Sequence, residues 1–159
     1  MTDKEGEILL SKLPLNSSID QLTNEPRNCP NRERDNELRY DDEKRVVRVE
    51  ATINSIKLEG DNDFHLVLSA SNKTMVGEVP NGDCSNFDKH PKLRAHFNDL
   101  RKQIIAAIGF TPTTKMKPVY RKVILEGVPF WDENQKGHKP SGSADNQHEL
   151  HPITKIIFK

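Results

Sequence analysis

The sequence predicts a mainly β fold, five strands closed into a small barrel with one α-helix between the third strand and the fourth. Three observations carry this expectation. Apolar residues alternate at a two-residue period in three consecutive stretches between Arg45 and Pro80. The stretch from Pro91 to Ile108 changes to a helical period, and two further alternating stretches follow it.

The first strand is the most informative. Val47, Val49, Ala51 and Ile53 fall on one face, with Arg48, Glu50, Thr52 and Asn54 between them. Ile56 and Leu58 then break the phase, which predicts a bulge or strong bend near Asn54. A long strand bent in this way can serve two sides of a barrel. Gly60 to Asp63 supplies turn chemistry, and Phe64, Leu66, Leu68 and Ala70 form the inward face of the second strand. A turn at Ser71 and Asn72 returns the chain as Thr74 to Val79, and Pro80 ends the pairing because it has no N–H.

Leu93, Phe97, Leu100, Ile104 and Ile108 share one face of a helix. Pro91 suits its first turn, His90 or Asp88 its cap, and Gly109 a left-handed stop. Lys92, Arg94, Arg101 and Lys102 lie opposite, a basic face whose simplest role is solvation. Residues 111–118 read as a linker. Val119 to Asp132 reads as the fourth strand, with a bend or end at Gly127 and Pro129. Glu133 to His148 is a long loop of turn formers, and Leu150 to Phe158 a fifth strand with Ile153 and Ile157 on one face. Three strands, a helix and two strands, in that order, is the arrangement of the OB-fold.

Residues 1–42 are polar, and their composition does not support a core, so they are expected to be a flexible leader ahead of an OB-fold domain at 43–159. Ile8, Leu9, Leu10 and Leu13 are the exception, and Asn16 or Ser17 could cap a short helix through Leu22 that docks on the domain. Disorder throughout the leader is the alternative. Lys plus Arg and Asp plus Glu both count 24 in 159 residues, so the chain lacks the overall positive footprint of a basic nucleic-acid binder, and only a local patch could supply one. No stretch is long and apolar enough for a membrane span, and Met1 to Gly6 does not begin a signal peptide. A cytoplasmic protein is expected as written, or a periplasmic or lipid-anchored one if a leader was removed upstream. Cys29 and Cys84 are too few for a disulfide framework or a four-cysteine zinc site; separate thiols or a single disulfide both fit.

The phrases DFHLVLSA, TMVGEVPNGDC and EGVPFWD, the pair Gly137 and His138, and ELHPITKI resemble a family of small bacterial proteins described as OB-fold nucleic-acid-binding proteins. The likeness spans about residues 40 to 158, and the box from Glu149 to Pro152 is its most specific part. Trp131 departs from the family's usual phenylalanine, and Gln147 and His148 replace small or aliphatic residues. The resemblance implies an OB-fold that binds nucleic acid, and some members are exported.

Two groups of residues could carry function. The first is a polar cluster. If the second hairpin turns at Ser71 to Lys73, His65 faces Glu78 across the strands, and Glu149 and His151 begin a fifth strand lying beside the third. Such a cluster could bind a ligand or a metal, but a structural hydrogen-bond network is the simpler reading, and no metal or other cofactor is predicted. The second group points to single-stranded nucleic acid: Trp131 as a stacking surface with Tyr120 and Phe130, and Lys122, Lys136, His138 and Lys139 as phosphate contacts, although Trp131 is equally suited to be a partly buried anchor of the long loop. Glu59, Asp61 and Asp63 oppose this by lining the facing loop with negative charge. A non-catalytic nucleic-acid-binding module is therefore expected, with another protein or a glycan of the cell envelope as the alternative ligand. Asp61, Asp63 and Glu78 are also similar to the acidic residues of staphylococcal-nuclease-like barrels, but no matching arginine motif accompanies them, and an enzyme is not expected.

Overall fold

The computed structural model describes residues 6–26, 40–132 and 140–159. Its elements are α1 (Gly6–Ser11), β1 (Leu15–Asn16), α2 (Ile19–Asn24), β2 (Val47–Leu58), β3 (Phe64–Ala70), β4 (Lys73–Val79), α3 (Pro91–Ile108), β5 (Lys117–Trp131) and β6 (His148–Phe158). One mixed sheet contains all six strands in the order β1-β2-β3-β4-β6-β5, and an additional β2–β5 pairing joins five of them into a ring.

Ring closure depends on the irregularity anticipated at Asn54. β2 pairs β3 on one side and β5 on the other, and both ladders shift register between Ile53 and Ser55. On the β3 side Asn54 is the extra residue, and its Oδ1 accepts a 2.9 Å hydrogen bond from Ser69 Oγ. On the β5 side Ile53 meets Arg121 while Ser55 meets Pro118, so Val119 and Tyr120 together span Asn54. β3 and β4 pair without a break, and β4 meets β6 in parallel through Val76↔Glu149 and Gly77↔Leu150. Gly77 permits that last contact, because a Cβ there would lie 2.7 Å from Ile153 Cδ1 and 2.8 Å from Leu68 Cδ1.

α3 keeps its expected limits. Pro91 occupies its first turn, and Gly109 stops it at φ 80° with its N–H on the Ile105 carbonyl. His90 is the N-cap residue but supplies no side-chain cap bond. Leu93, Phe97, Leu100 and Ile104 are buried in the same core as Ile53, Leu66, Leu68, Met75, Val123, Leu125 and Ile153 of the ring strands.

Two expectations are corrected, and the alternatives left open for the leader are narrowed. The helix between the third and fourth ring strands is joined by two short N-terminal helices, so the count of helices is higher than one. Ile157 is 43% exposed while Ile153 is fully buried, although four residues separate them, because the β5–β6 ladder shifts register between Glu126 and Gly127 and reverses the inward phase. The part of the leader that is described, residues 6–26, is packed against the ring. Ser18 caps α2 by accepting from the Gln21 N–H at 3.1 Å, and Ile19 and Leu22 enter the main core with no exposure. β1 adds a short parallel pairing of Leu15 with Val47, Glu25 binds Arg45 at 2.6 Å, and Asn146 Nδ2 donates to the carbonyls of Leu22 and Glu25. The short docking helix offered by the sequence through Leu22 is present as α2, capped by Ser18 rather than by Asn16 or Ser17, and two fully buried side chains seat it on the ring. Cys84 is a free, half-buried thiol, and Cys29 lies outside the described residues.

Leu22→Ala should destabilise the protein by about 2–5 kcal/mol, the usual cost of emptying a filled core position. Leu13→Ala, at a residue 90% exposed, should change stability by no more than about 0.5 kcal/mol. Urea unfolding of the two variants checks the difference.

Candidate functional site

The predicted polar cluster forms where β3, β4 and β6 lie side by side. His65 and Glu78 are direct partners in the β3–β4 ladder, and the β4–β6 pairing brings Glu149 and His151 alongside. His65 is buried; its Nδ1 lies 3.1 Å from Glu59 Oε1 and 3.5 Å from Glu78 Oε1. Its Nε2 donates to the Ser141 carbonyl at 3.0 Å. The other oxygen of Glu78 lies 3.1 Å from His151 Nδ1, which is also 3.2 Å from Glu149 Oε1. Phe130 packs beside the His151 ring, with centroids 5.4 Å apart.

Residues beyond the predicted four complete the cluster. Glu59 and Asp63 bracket the turn between β2 and β3, closed by Glu59 N–H on the Asp63 carbonyl at 2.9 Å. Asp63 Oδ1 also accepts from the Asn81 N–H at 2.7 Å. The acidic run around Gly60 was visible in the sequence, but its convergence on His65 was not. Ser141 had no sequence signal, because its carbonyl acts and not its side chain. Gly142 lets that carbonyl reach His65: its φ is 87°, and a Cβ there would lie 2.6 Å from Val67 Cγ1, so only glycine lets the loop settle on β3.

The electrostatics are strongly coupled. Burial pushes the Glu149 carboxyl up to about 7, with the charges of Glu78 and Asp132 adding to it and His151 opposing. Burial also raises Asp63. Burial alone would lower both imidazoles, but both end raised. For His65 the hydrogen bonds to Glu78 and Ser141 and the charges of Glu78 and Glu59 prevail; for His151 the Glu149 hydrogen bond and the Glu78 and Glu149 charges do. Glu78 is lowered despite its burial, by its hydrogen bond to His65 and the charges of His151, His65 and Lys57. Two triads of this cluster, Glu59–His65–Glu78 and Asp63–Glu78–His151, bring one donor atom from each residue within 4.8 Å of the others, close enough to share an ion.

The residues proposed to contact nucleic acid are divided by the structure. Trp131 is 1% exposed and stacks flat on His148, with ring centroids 4.0 Å apart, while His148 Nδ1 donates to the Leu22 carbonyl at 2.9 Å. The expected stacking surface is thus covered by protein, and Trp131 anchors the loop end and α2. Lys136, His138 and Lys139 lie outside the described residues. Tyr120 and Lys122 are exposed in the first half of β5, and neither contacts the polar cluster among the described residues. Tyr120 is 76% exposed and takes φ 53° at the β2–β5 bulge, a left-handed conformation that bulky residues seldom adopt. Lys115, Lys117, Arg121 and Lys122 surround it in sequence and form no ion pair among the described residues. Of these, sequence reasoning selected only Lys122, because the segment was read as a linker running into an ordinary strand.

No protein-family model matches the chain, and no curated protein matches it. Solved structures similar to it include a chain described as an aspartyl-tRNA synthetase of Leishmania major Friedlin, at 11% identity and a TM-score of 0.46, covering 92% of this chain and 21% of that one. An Entamoeba histolytica asparaginyl-tRNA synthetase in complex with asparaginyl-adenylate is similar at 10% identity and a TM-score of 0.43, covering 72% of this chain and 20% of that one. An OBody bound to hen egg-white lysozyme is similar at 11% identity and a TM-score of 0.39, covering 72% of this chain and 80% of that one. The chain spans about a fifth of the length of the two synthetase chains. At these identities the likenesses assign no role to any residue. Among the described residues, no helix is long and apolar enough to cross a membrane.

The cluster also fixes a pH dependence. Glu149 is raised from 4.5 to about 7, and His65 and His151 are raised above 6.5, so the folded chain holds more protons than the unfolded chain as these groups titrate. Stability linked to them is present at lower pH and is lost as pH rises through the folded values. Glu78 has the opposite sign, but its change falls below 4.5. In chelator-containing buffer the midpoint of urea unfolding should therefore fall between about pH 6 and pH 8. Glu149→Gln, which stays neutral, should make that fall shallower.

Proposed function

We propose that the ring is an OB-fold and that the chain is a non-catalytic module binding single-stranded nucleic acid through the start of β5. The observation that carries this reading is Tyr120. A buried aromatic in a left-handed conformation could be explained by packing, but one that is 76% exposed gains little from the core. Glycine or asparagine would hold the same bulge at lower backbone cost, of order 1–3 kcal/mol per strained residue. An exposed ring held out from a bulge, with Lys115, Lys117, Arg121 and Lys122 adjacent in the chain, offers a base a stacking face and its phosphates a set of cations. Glu149 pairs opposite Phe130 at the far end of β5, and the acidic turn at residues 59–63 follows Leu58, whose N–H binds the Thr113 carbonyl beside Lys115 and Lys117. Both would repel a phosphate backbone, so the contact surface is centred on Tyr120, Arg121 and Lys122, the last two of which pair opposite Ile53 and Thr52.

A binding role fits the arginines better than phosphoryl chemistry does. Arg101 lies near Asp63, but its guanidinium is engaged by the carbonyls of Asn62 and Val79 and rests 3.7 Å over the Phe64 ring. It is thereby held away from the task of neutralising a transferred phosphoryl group.

Fluorescence anisotropy of labelled single-stranded oligonucleotides at two salt concentrations tests this reading. Tyr120→Gly should weaken binding by about 1–3 kcal/mol, the usual value of one base–aromatic stack, without lowering the urea midpoint, since glycine tolerates the backbone. Lys122→Ala should reduce the salt slope by about 1. Equal affinity for the parent chain and Tyr120→Gly would reject this interface.

A further inference from the structure

The proton on one nitrogen of His65 decides what its other nitrogen can do. A carbonyl oxygen only accepts, so the bond to Ser141 places a proton on Nε2. In neutral His65 the Nδ1 lone pair then points toward the carboxylate oxygens of Glu59 and Glu78, at 3.1 and 3.5 Å. Three lone pairs directed at one another repel unless a positive charge joins them. That charge is either a second proton on the ring or a cation between the three atoms.

A single Nδ1–H can satisfy only one of the two carboxylates, whereas a cation between the three atoms satisfies both. Donors on neighbouring vertices around an ion with bonds of about 2.0–2.1 Å stand roughly 3.4 Å apart in a tetrahedral arrangement. The observed separations of 3.1 and 3.5 Å stand on either side of that value, within about 0.3 Å of it. A ligating histidine also characteristically donates its second N–H to a carbonyl or carboxylate, which fixes tautomer and ring orientation, and Ser141 provides that here.

We propose that Nδ1 of His65, Glu59 and Glu78 bind a first-row divalent cation of the zinc or manganese class. Imidazole nitrogen favours such an ion over calcium or magnesium. Glu78 lends its second oxygen to His151, which Glu149 holds in turn, so these two are positioning residues for the central carboxylate. Asp63, Glu78 and His151 form the other triad, where an ion would replace the His151–Glu78 hydrogen bond. Lys57 already contacts Glu59 Oε1 at 2.9 Å, which makes Glu59 the weakest of the three ligands. Its partly exposed side chain leaves the ion open to solvent or to an incoming oxygen ligand. This inference does not rest on nucleic-acid binding.

The test uses the full chain, stripped with chelator, and ZnCl2, MnCl2, MgCl2 and CaCl2 as probes, read by calorimetric titration and thermal unfolding. Zinc or manganese should bind at one or two ions per chain and raise Tm. The rise should be larger at about pH 8 than at pH 6, because the ion competes with a proton for Nδ1. The groups that set this profile are Glu59, Glu78 and Lys57 around His65, and Glu78, Glu149 and Asp63 around His151. Glu78→Gln should abolish the shift. Glu59→Gln, a milder change at the partly exposed rim, should weaken binding by at least about tenfold while preserving the fold, and Tyr120→Gly should leave it unchanged. Absence of heat and of any Tm shift with both transition metals would overturn the proposal. So would undiminished binding in folded Glu59→Gln and Glu78→Gln, or a preference for calcium or magnesium.

Discussion

β2 must hydrogen-bond to β3 along one edge and to β5 along the other, and a straight strand cannot turn its edges toward partners on two sides of a ring. The extra residue at Asn54 resolves this by bending the strand between Ile53 and Ser55. Ser69 binds the Asn54 side chain and holds the bend on the β3 side. On the β5 side the matching irregularity falls at Tyr120 and forces it into a left-handed conformation. A constraint of closure thus reaches the surface as an exposed aromatic ring, which links the requirement for a ring to the proposed ligand surface.

The second consequence of closure appears where β4 and β6 meet. Their parallel contact is brief, and it requires Gly77 because Ile153 and Leu68 fill the space a side chain would need. It places Glu149 and His151 beside Glu78 and His65 and buries several ionisable groups together. Buried charges are tolerated only when compensated, and here each imidazole faces two carboxylates while their protons settle the balance. Glu149 near neutrality and both histidines held up are the electrostatic result of that crowding. The same crowding brings donor atoms to ion-ligand separations, so compensation by protons and compensation by a metal are alternative answers to one burial cost.

Sequence reasoning reached the pairing of His65 with Glu78 because a tight hairpin leaves few registers. It reached the neighbourhood of Glu149 and His151 because the expected topology sets the last strand beside the third. It did not reach Glu59 as a partner of His65, since that contact depends on how the turn folds back. Nor did it reach Ser141, whose contribution is a backbone carbonyl. It left Trp131 open between a stacking surface and an anchor of the long loop, because an aromatic residue at a strand end is equally suited to both. The choice was made by His148 and α2 packing over it.

Local periodicity in the chain determined the five long strands, the bend at Asn54, and the helix from Pro91 to Ile108 with its glycine stop. These follow from side-chain alternation and from the backbone preferences of proline and glycine, which act over a few residues and need no distant partner. Only the tertiary structure decided that residues 6–26 pack on the ring, that Trp131 faces inward while Tyr120 faces out, and that four carboxylates gather around two histidines. Each of those depends on which surface remains open after the ring has closed, and that is a property of residues far apart in the chain.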